Sequence, residues 1–345
     1  MISKSQPEWL SALNIIKSYK LYVQTTRPPN QQPAAAMQVD TIHTMSKPTM
    51  KSSPLWRPHT AYLLILPSLL LFLFFFLYPI LFSVYISTTN ASFYNFIKGF
   101  NWIGLDNYKS LLLKGDFFKP LGRTLLFVLT SVPLKVIAGT SVAGLFSSPK
   151  LKLKSILYPL YLAPWSLPWF FVVMIWRGMF NQDFGAINQL LSTIGISSIN
   201  WLNNPINAFI SYNIVEVYLV YPFMTTIILA AIENIPREVL ESAIIDGATA
   251  WERFRYIVLP LIQKPLLWAT LITTIASYMI FGVPYILNKG GPAGINEFLL
   301  IYGYKKAFVL GRYGFASAFM VLVFFILIFL VIPYSKMTNI AERGY

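Results

Sequence analysis

An all-α membrane protein with six spanning helices is the fold class that this 345-residue sequence predicts, and three observations carry the reading. Residues are 56% hydrophobic and 16% aromatic but only 12% charged, which lies outside the composition of a water-soluble domain. The charges that are present leave apolar windows of the length, about 20 residues, that a helix needs to cross hydrocarbon. The ten-residue alternation of a membrane barrel is absent, so the backbone must satisfy its hydrogen bonds within helices.

Each span is bounded by where the charges stop. Residues 61–87 carry none, 265–288 lie between Lys264 and Lys289, and 313–335 lie between Arg312 and Lys336. Three more windows fit: 124–146, interrupted by Lys135; 155–176; and 206–232, interrupted by Glu216. Six spans place both termini on one side of the membrane. Sixteen Lys and Arg fall in the terminal segments and the loops on their side, against nine on the other, so positive charge predicts cytoplasmic N- and C-termini in the cell membrane. Residues 60–335 then form the membrane domain, 336–345 a short cytoplasmic tail, and 236–260 a cytoplasmic loop.

The first 59 residues have a different character. EWLSALNIIKSYKLYV spaces Trp9, Leu10, Leu13 and Ile16 between lysines as a surface amphipathic helix would. TTRPPNQQPAAAMQ then reads as a flexible linker, and Met37, Met45 and Met50 each allow a later start. The first span is too long and too far from the start for a cleaved signal, so it is expected to remain as an anchor.

Several function classes drop out on composition. The net charge of +14 is scattered over every loop rather than gathered on one face, which points to the membrane lipid surface as partner and not to nucleic acid. Cysteine is absent, which excludes disulfides, thiol catalysis and cysteine metal sites. His43 and His59 are the two histidines and neither has a second ligand at metal spacing, so no metal site is expected. No convergent set of His, Cys or carboxylate supplies a nucleophile with its base, and no catalytic residue is assigned.

The charged stretch ESAIIDGATAWERFRYIVLP, residues 241–260, sits between two spans and reads as a helical hairpin. Pro236 suits a first helical turn, with Glu238 near the positive end of the dipole. Val239, Leu240, Ala243 and Ile244 form an apolar stripe, and Gly247 can leave the helix at positive φ. Thr249 and Glu252 make a T-x-x-E capping box that starts a second helix, with Trp251, Phe254, Ile257 and Val258 on its apolar side. Glu241, Asp246, Arg253 and Arg255 are then presented to whatever docks there.

This hairpin resembles the cytoplasmic loop of the permease subunits of binding-protein-dependent ABC importers, whose pattern is E-A-A, three residues, G, nine residues, I-x-L-P. Glu241, Ala243, Gly247, Ile257, Leu259 and Pro260 match at the family spacing, and Ser242 stands in place of the middle alanine. The resemblance implies the type I ABC importer permease fold and makes the hairpin the coupling helix that sits in a cleft of an ATPase subunit. Its coupling residues would be Glu241, Ser242, Ala243, Asp246, Gly247, Arg253, Phe254 and Pro260. NWIGLDNYKSLL (101–112), NQDFGAINQLL (181–191), LNKGGPAGINEFLLIYGYKKAF (287–308) and YGFASA (313–318) look like loops of the carbohydrate type, such as the maltose and glycerol-3-phosphate permeases. A second homologous permease, two ATP-binding cassette subunits and an extracellular sugar-binding protein are the implied partners. The chain has no G-x-x-x-x-G-K-[ST] loop, so ATP and Mg are expected on the partner ATPases and no cofactor on this chain.

Ionisable groups inside spans are costly and mark candidate pathways. Lys135 and Glu216 lie about eleven and ten residues in from the same side, at similar depth, and are placed to pair or to face the solute path. Pro222 inside YLVYPFM is expected to kink its helix. The resemblance puts the substrate cavity beside that kink and along the span after the hairpin, where Thr273, Ala276, Ser277 and Ile280 share a face. Glu216, Tyr218, Phe223, Thr273 and Ser277 are therefore the candidate substrate-pathway residues. The maltose permease carries larger aromatic and amide residues on that face, which counts against maltose itself. Two alternatives stay open: an ion-coupled secondary transporter using Glu216 and Lys135 as its ion site, and an ABC importer permease for a solute other than sugar.

Overall fold

The computed structural model describes residues 58–149 and 151–343, with side chains from 62 to 334 apart from residue 150. The amphipathic stretch, the linker and His43 lie outside the described residues, as does the side chain of His59. Two units divide the chain, Met1–Leu81 and Phe82–Tyr345.

In the first unit, α1 (Pro58–Phe72) runs through a π-helical turn at Leu73–Leu77 into α2 (Tyr78–Ser87), whose last turns belong to the second unit. Proline at Pro79 explains the wide turn. Its ring clashes with the carbonyl four residues back, and a step to i−5 bonding, seen in Tyr78 N donating to Leu73 O, opens that space.

Among its described residues the second unit has helices as its regular elements, with one isolated bridge, Thr89 to Trp102, before α3 (Asp106–Leu113). The helix α4 (Phe118–Ser147) begins six residues ahead of the apolar window that starts at Thr124, because a helix does not have to stop where hydrocarbon does. The window 155–176 is not one straight rod. It is α5 (Lys154–Ser166) and α6 (Trp169–Met179), bent by 95°. Pro168 lacks the N–H that would donate to Pro164 O and carry the ladder across the break.

Beyond α7 (Ala186–Thr193), α8 (Pro205–Glu233) starts on Asn204, whose side chain accepts from Ile206 N and Asn207 N, and stays continuous through Pro222. The hairpin comprises α9 (Arg237–Ile245) and α10 (Ala250–Arg253), then a π-turn at Phe254–Val258 and the single turn α11 (Leu259–Leu261). Window 265–288 is interrupted between α12 (Gln263–Tyr278) and α13 (Gly282–Asn288). A Cβ on Gly282 would stand 2.5 Å from the Trp169 ring, so the two broken segments meet at that glycine. The chain closes with α14 (Leu299–Tyr304), a π-turn at Lys305–Val309 and the long α15 (Tyr313–Arg343).

Among the described residues, five helices are long and apolar enough to cross a membrane, or six if α5 and α6 count as one bent span. The core is organised by α4, which packs most extensively on α8. Gly139 permits this: a Cβ there would collide with Met224, and Thr225 Oγ1 donates to Gly139 O at 3.3 Å. At the end away from the hairpin, Phe127, Phe180, Tyr212 and Phe298 are buried together. The turn at 288–292 is pinned there. Tyr212 OH donates to Asn288 Oδ1, Asn288 Nδ2 donates to Leu202 O at 2.7 Å, and Asn296 Nδ2 donates to Pro205 O at 2.7 Å. Near the hairpin, Phe146, Tyr161, Ile228 and Ile262 form a second buried group.

Candidate functional site

The site begins with a lysine that has nowhere to go. Lys135 is fully buried at the middle of α4, where the charge needs an anion and donors need acceptors. Both are present. Its Nζ donates to Glu216 Oε2 on α8 at 2.9 Å and to Ser277 Oγ on α12 at 2.9 Å, and it lies 5.8 Å from the Phe127 ring centroid. Three helices are thereby cross-linked at one depth. Glu216 keeps 15% of its side chain exposed, so the pair has one wholly enclosed member and one that reaches the edge of the packed core.

A polar seam extends from this centre. Ser131, one turn from Lys135 on the same face of α4, is buried and its hydroxyl has no partner among the described residues. Thr130 Oγ1 meets Asn213 Oδ1 at 3.1 Å on the next turn of α8. Thr273, one turn along α12 from Ser277, donates to Met224 Sδ at 3.2 Å.

The candidate pathway residues therefore separate. Glu216 and Ser277 are brought together through Lys135, and Thr273 sits beside them. The shared face predicted for α12 is narrower than its spacing suggests: Thr273, Ser277 and Ile280 are buried and Ala276 is exposed. Tyr218 points away, edge-on to Trp176 of α6 at 5.3 Å, with Tyr221 beyond it at 6.5 Å. Phe223 packs 5.8 Å from Trp165 of α5. Equal depth was legible for Lys135 and Glu216, whereas Ser277 as a ligand of the lysine was not, because nothing in a linear sequence reports the rotation of α12 about its axis.

At the far end of α8 the hairpin is built by its caps. Gly247 takes φ +80 and lets Ala248 N return to Ala243 O at 3.0 Å. Thr249 Oγ1 accepts from Glu252 N at 3.3 Å while Glu252 Oε2 accepts from Thr249 N at 2.6 Å, the complete capping box. Hydrogen bonding to the carboxylate, from the Thr249 hydroxyl first and then from the Thr249 backbone N–H, holds the Glu252 carboxyl below its ordinary range.

Three expectations for the hairpin change. Arg253, expected on the docking face, turns back and donates from Nη1 to Ala248 O at 2.6 Å, so it braces the turn. The expected stripes are only half covered: Ala243 and Ile257 are buried, but Ile244 is 56% and Trp251 69% exposed, and Ile245 beside them 85%. The second helix gives way to a π-turn at Phe254, again just ahead of a proline, Pro260. Glu241, Ser242 and Asp246 are exposed, while Phe254 and Pro260 are half-buried. Among the described residues the hairpin's apolar patch is uncovered and bordered by charge.

Residues 135–336 match the family described as binding-protein-dependent transport system inner membrane component. The chain belongs to that family. Among relatives of this inner membrane component, the trehalose/maltose transport system permease protein MalF of Thermococcus litoralis is 35% identical over 275 residues, which is 80% of this chain and 92% of the relative. The sulfoquinovosyl glycerol transport system permease protein SmoG of Agrobacterium fabrum is 30% identical over 267 residues, covering 76% of this chain and 85% of its own. The fold of the inner membrane component resembles a bacterial ABC transporter involved in alginate import, with TM-score 0.70 and 21% identity over 81% of this chain and 94% of that one. It is thus a multi-pass membrane protein, and both the buried triad and the hairpin's I-x-L-P end lie within the matched residues.

Proposed function

We propose that this chain is the permease subunit of an ATP-driven, binding-protein-dependent sugar importer and forms half of its translocation path. The observation that carries the reading is the hairpin between α8 and α12: its family spacing is intact, its turn is capped at both sides, and no described residue covers its apolar patch. The named solutes of its relatives, trehalose, maltose and sulfoquinovosyl glycerol, support a sugar or glycoside as cargo.

In this reading the chain performs no chemistry. ATP and Mg bind two partner cassette subunits, a second homologous permease completes the cavity, and an extracellular protein delivers the sugar. Closure of the ATPase pair pushes on Glu241, Ser242, Asp246 and the exposed Ile244, Ile245 and Trp251. The push enters the bundle through α8 and α12, the two helices that the hairpin joins. The Lys135 contacts to Glu216 and Ser277 tie both helices to α4, so the three shift as one body and change which side the cavity faces. Both termini lie in the cytoplasm, on the side of the hairpin.

Proteoliposomes containing the purified complex test this reading by radiolabelled sugar uptake and binding-protein-stimulated ATPase activity. A Gly247→Asp, Glu241→Lys variant is expected to lose both while retaining the folded spans. Nucleotide-independent uptake by this chain alone, indifferent to those changes, would replace the reading by an ion-coupled carrier centred on Glu216.

A further inference from the structure

At the end of the bundle opposite the hairpin, the segment 89–97 is pressed onto the start of α15. Phe93 N donates to Gly311 O at 2.7 Å and Gly314 N donates to Ala91 O at 2.8 Å. Glycine is required at both places, since a Cβ on Gly311 would meet Phe93 Cβ at 2.7 Å and one on Gly314 would collide with Thr89 O. This rigid seam leaves a groove of about 400 Å³ lined by Phe82, Ile86, Phe96, Ile97, Tyr313 and Ser317, among others. Phe96 stands edge-on to Tyr313 at 5.6 Å and closes one side.

Three features of the groove specify an occupant. First, depth: Phe82 lies five residues from the end of α2 and Ser317 four from the start of α15, so at about 1.5 Å per residue the floor is some 6–8 Å below the helix ends. Where the helix ends lie among the headgroups, that depth is the boundary with the acyl chains, about 5–10 Å in. Second, continuity: Ser317 is followed on the same side of α15 by the exposed Met320 (37%), Phe324 (55%) and Ile328 (42%), so the groove opens onto an apolar stripe that runs down the span. Third, charge: Lys98 is exposed immediately after Ile97, which is itself 97% exposed, and residues 82–105 and 306–341 contain no Asp or Glu. Arg312 does not contribute, because its guanidinium is stacked 4.3 Å over the Phe315 ring on another side of α15. The groove is mostly apolar, and the exposed Lys98 directly follows its lining residue Ile97.

We propose that this groove is a binding site for one anionic phospholipid of the leaflet opposite the hairpin, with an acyl chain between Ile86 and Ser317 and the headgroup at Lys98. A lipid held there splints the seam between segment 89–97 and α15, the start of the last span. Retained lipid supplies the shape complement that the apolar floor lacks, and Lys98 selects the anionic headgroup over a zwitterionic one.

Native mass spectrometry tests this on the chain purified with the subunits that it assembles with, from nanodiscs of phosphatidylglycerol and of phosphatidylcholine. The expected result is one retained phosphatidylglycerol, held at least tenfold more often than phosphatidylcholine. Ser317→Trp, which fills the groove, should abolish retention. Lys98→Glu, at an exposed position where folding is not at stake, should remove the preference for phosphatidylglycerol. A photoreactive benzoylphenylalanine in place of Ile97 should cross-link lipid. Equal retention in wild type and both variants overturns the proposal, as does a cross-link from position 97 to a second permease subunit, which would make the groove a subunit contact.

Discussion

Lys135 Nζ stands 2.9 Å from Glu216 Oε2, and the lysine is fully buried while the glutamate is not. Removing only one member of such a pair leaves an uncompensated charge in low dielectric. Lys135→Met is therefore expected to destabilise the protein by about 3–5 kcal/mol. Adding Glu216→Gln should restore part of the loss, and thermal unfolding in detergent of the two singles and the double reads the coupling directly.

Glu216→Gln alone separates a path role from a packing role. If the carboxylate faces the moving solute, uptake falls by more than tenfold while Kd for the binding protein is unchanged. Unimpaired uptake combined with a lowered unfolding temperature would leave Glu216 as a structural partner of Lys135.

Gly247 occupies the left-handed region at φ +80. An alanine there is expected to strain the backbone by about 1–2 kcal/mol and loosen the turn that ends α9. Coupling should suffer more than folding, so the ratio of sugar transported to ATP hydrolysed is the quantity to follow in proteoliposomes.

The capping box makes the hairpin sensitive to acid. The Glu252 carboxyl is held below its ordinary range in the folded state, so its contribution is complete above the ordinary glutamate pKa and is lost as pH falls through the lowered one. Amide-exchange protection of the α10 turn should decline over that acidic window in wild type. In Thr249→Ala protection should already be low above the window, and a flat, equal profile in both proteins would show that the box does not hold the turn.

Gly139 sets the closest approach of α4 and α8. Gly139→Val should force the helices apart at a cost of about 1–3 kcal/mol and shift Lys135 relative to Glu216. A variant as stable as wild type would mean that the two helices tolerate a wider spacing.

How much was legible follows from where each constraint resides. Apolar windows, the capping box and the positive φ of Gly247 are local: each depends on a stretch shorter than one helix, so charge spacing and residue type were sufficient to place them. The family spacing through Glu241, Gly247 and Pro260 belongs to the same class. Tertiary packing decided the rest. The contact of Trp169 with Gly282 joins segments over a hundred residues apart, Arg253 turned from the expected docking face to reach Ala248 O, and Lys135 acquired Ser277 as well as Glu216 because α12 presents that face to α4. Periodicity along one helix says which residues share a side, but the rotation of a helix about its own axis is set by the neighbours it packs against, and those are far apart in the chain.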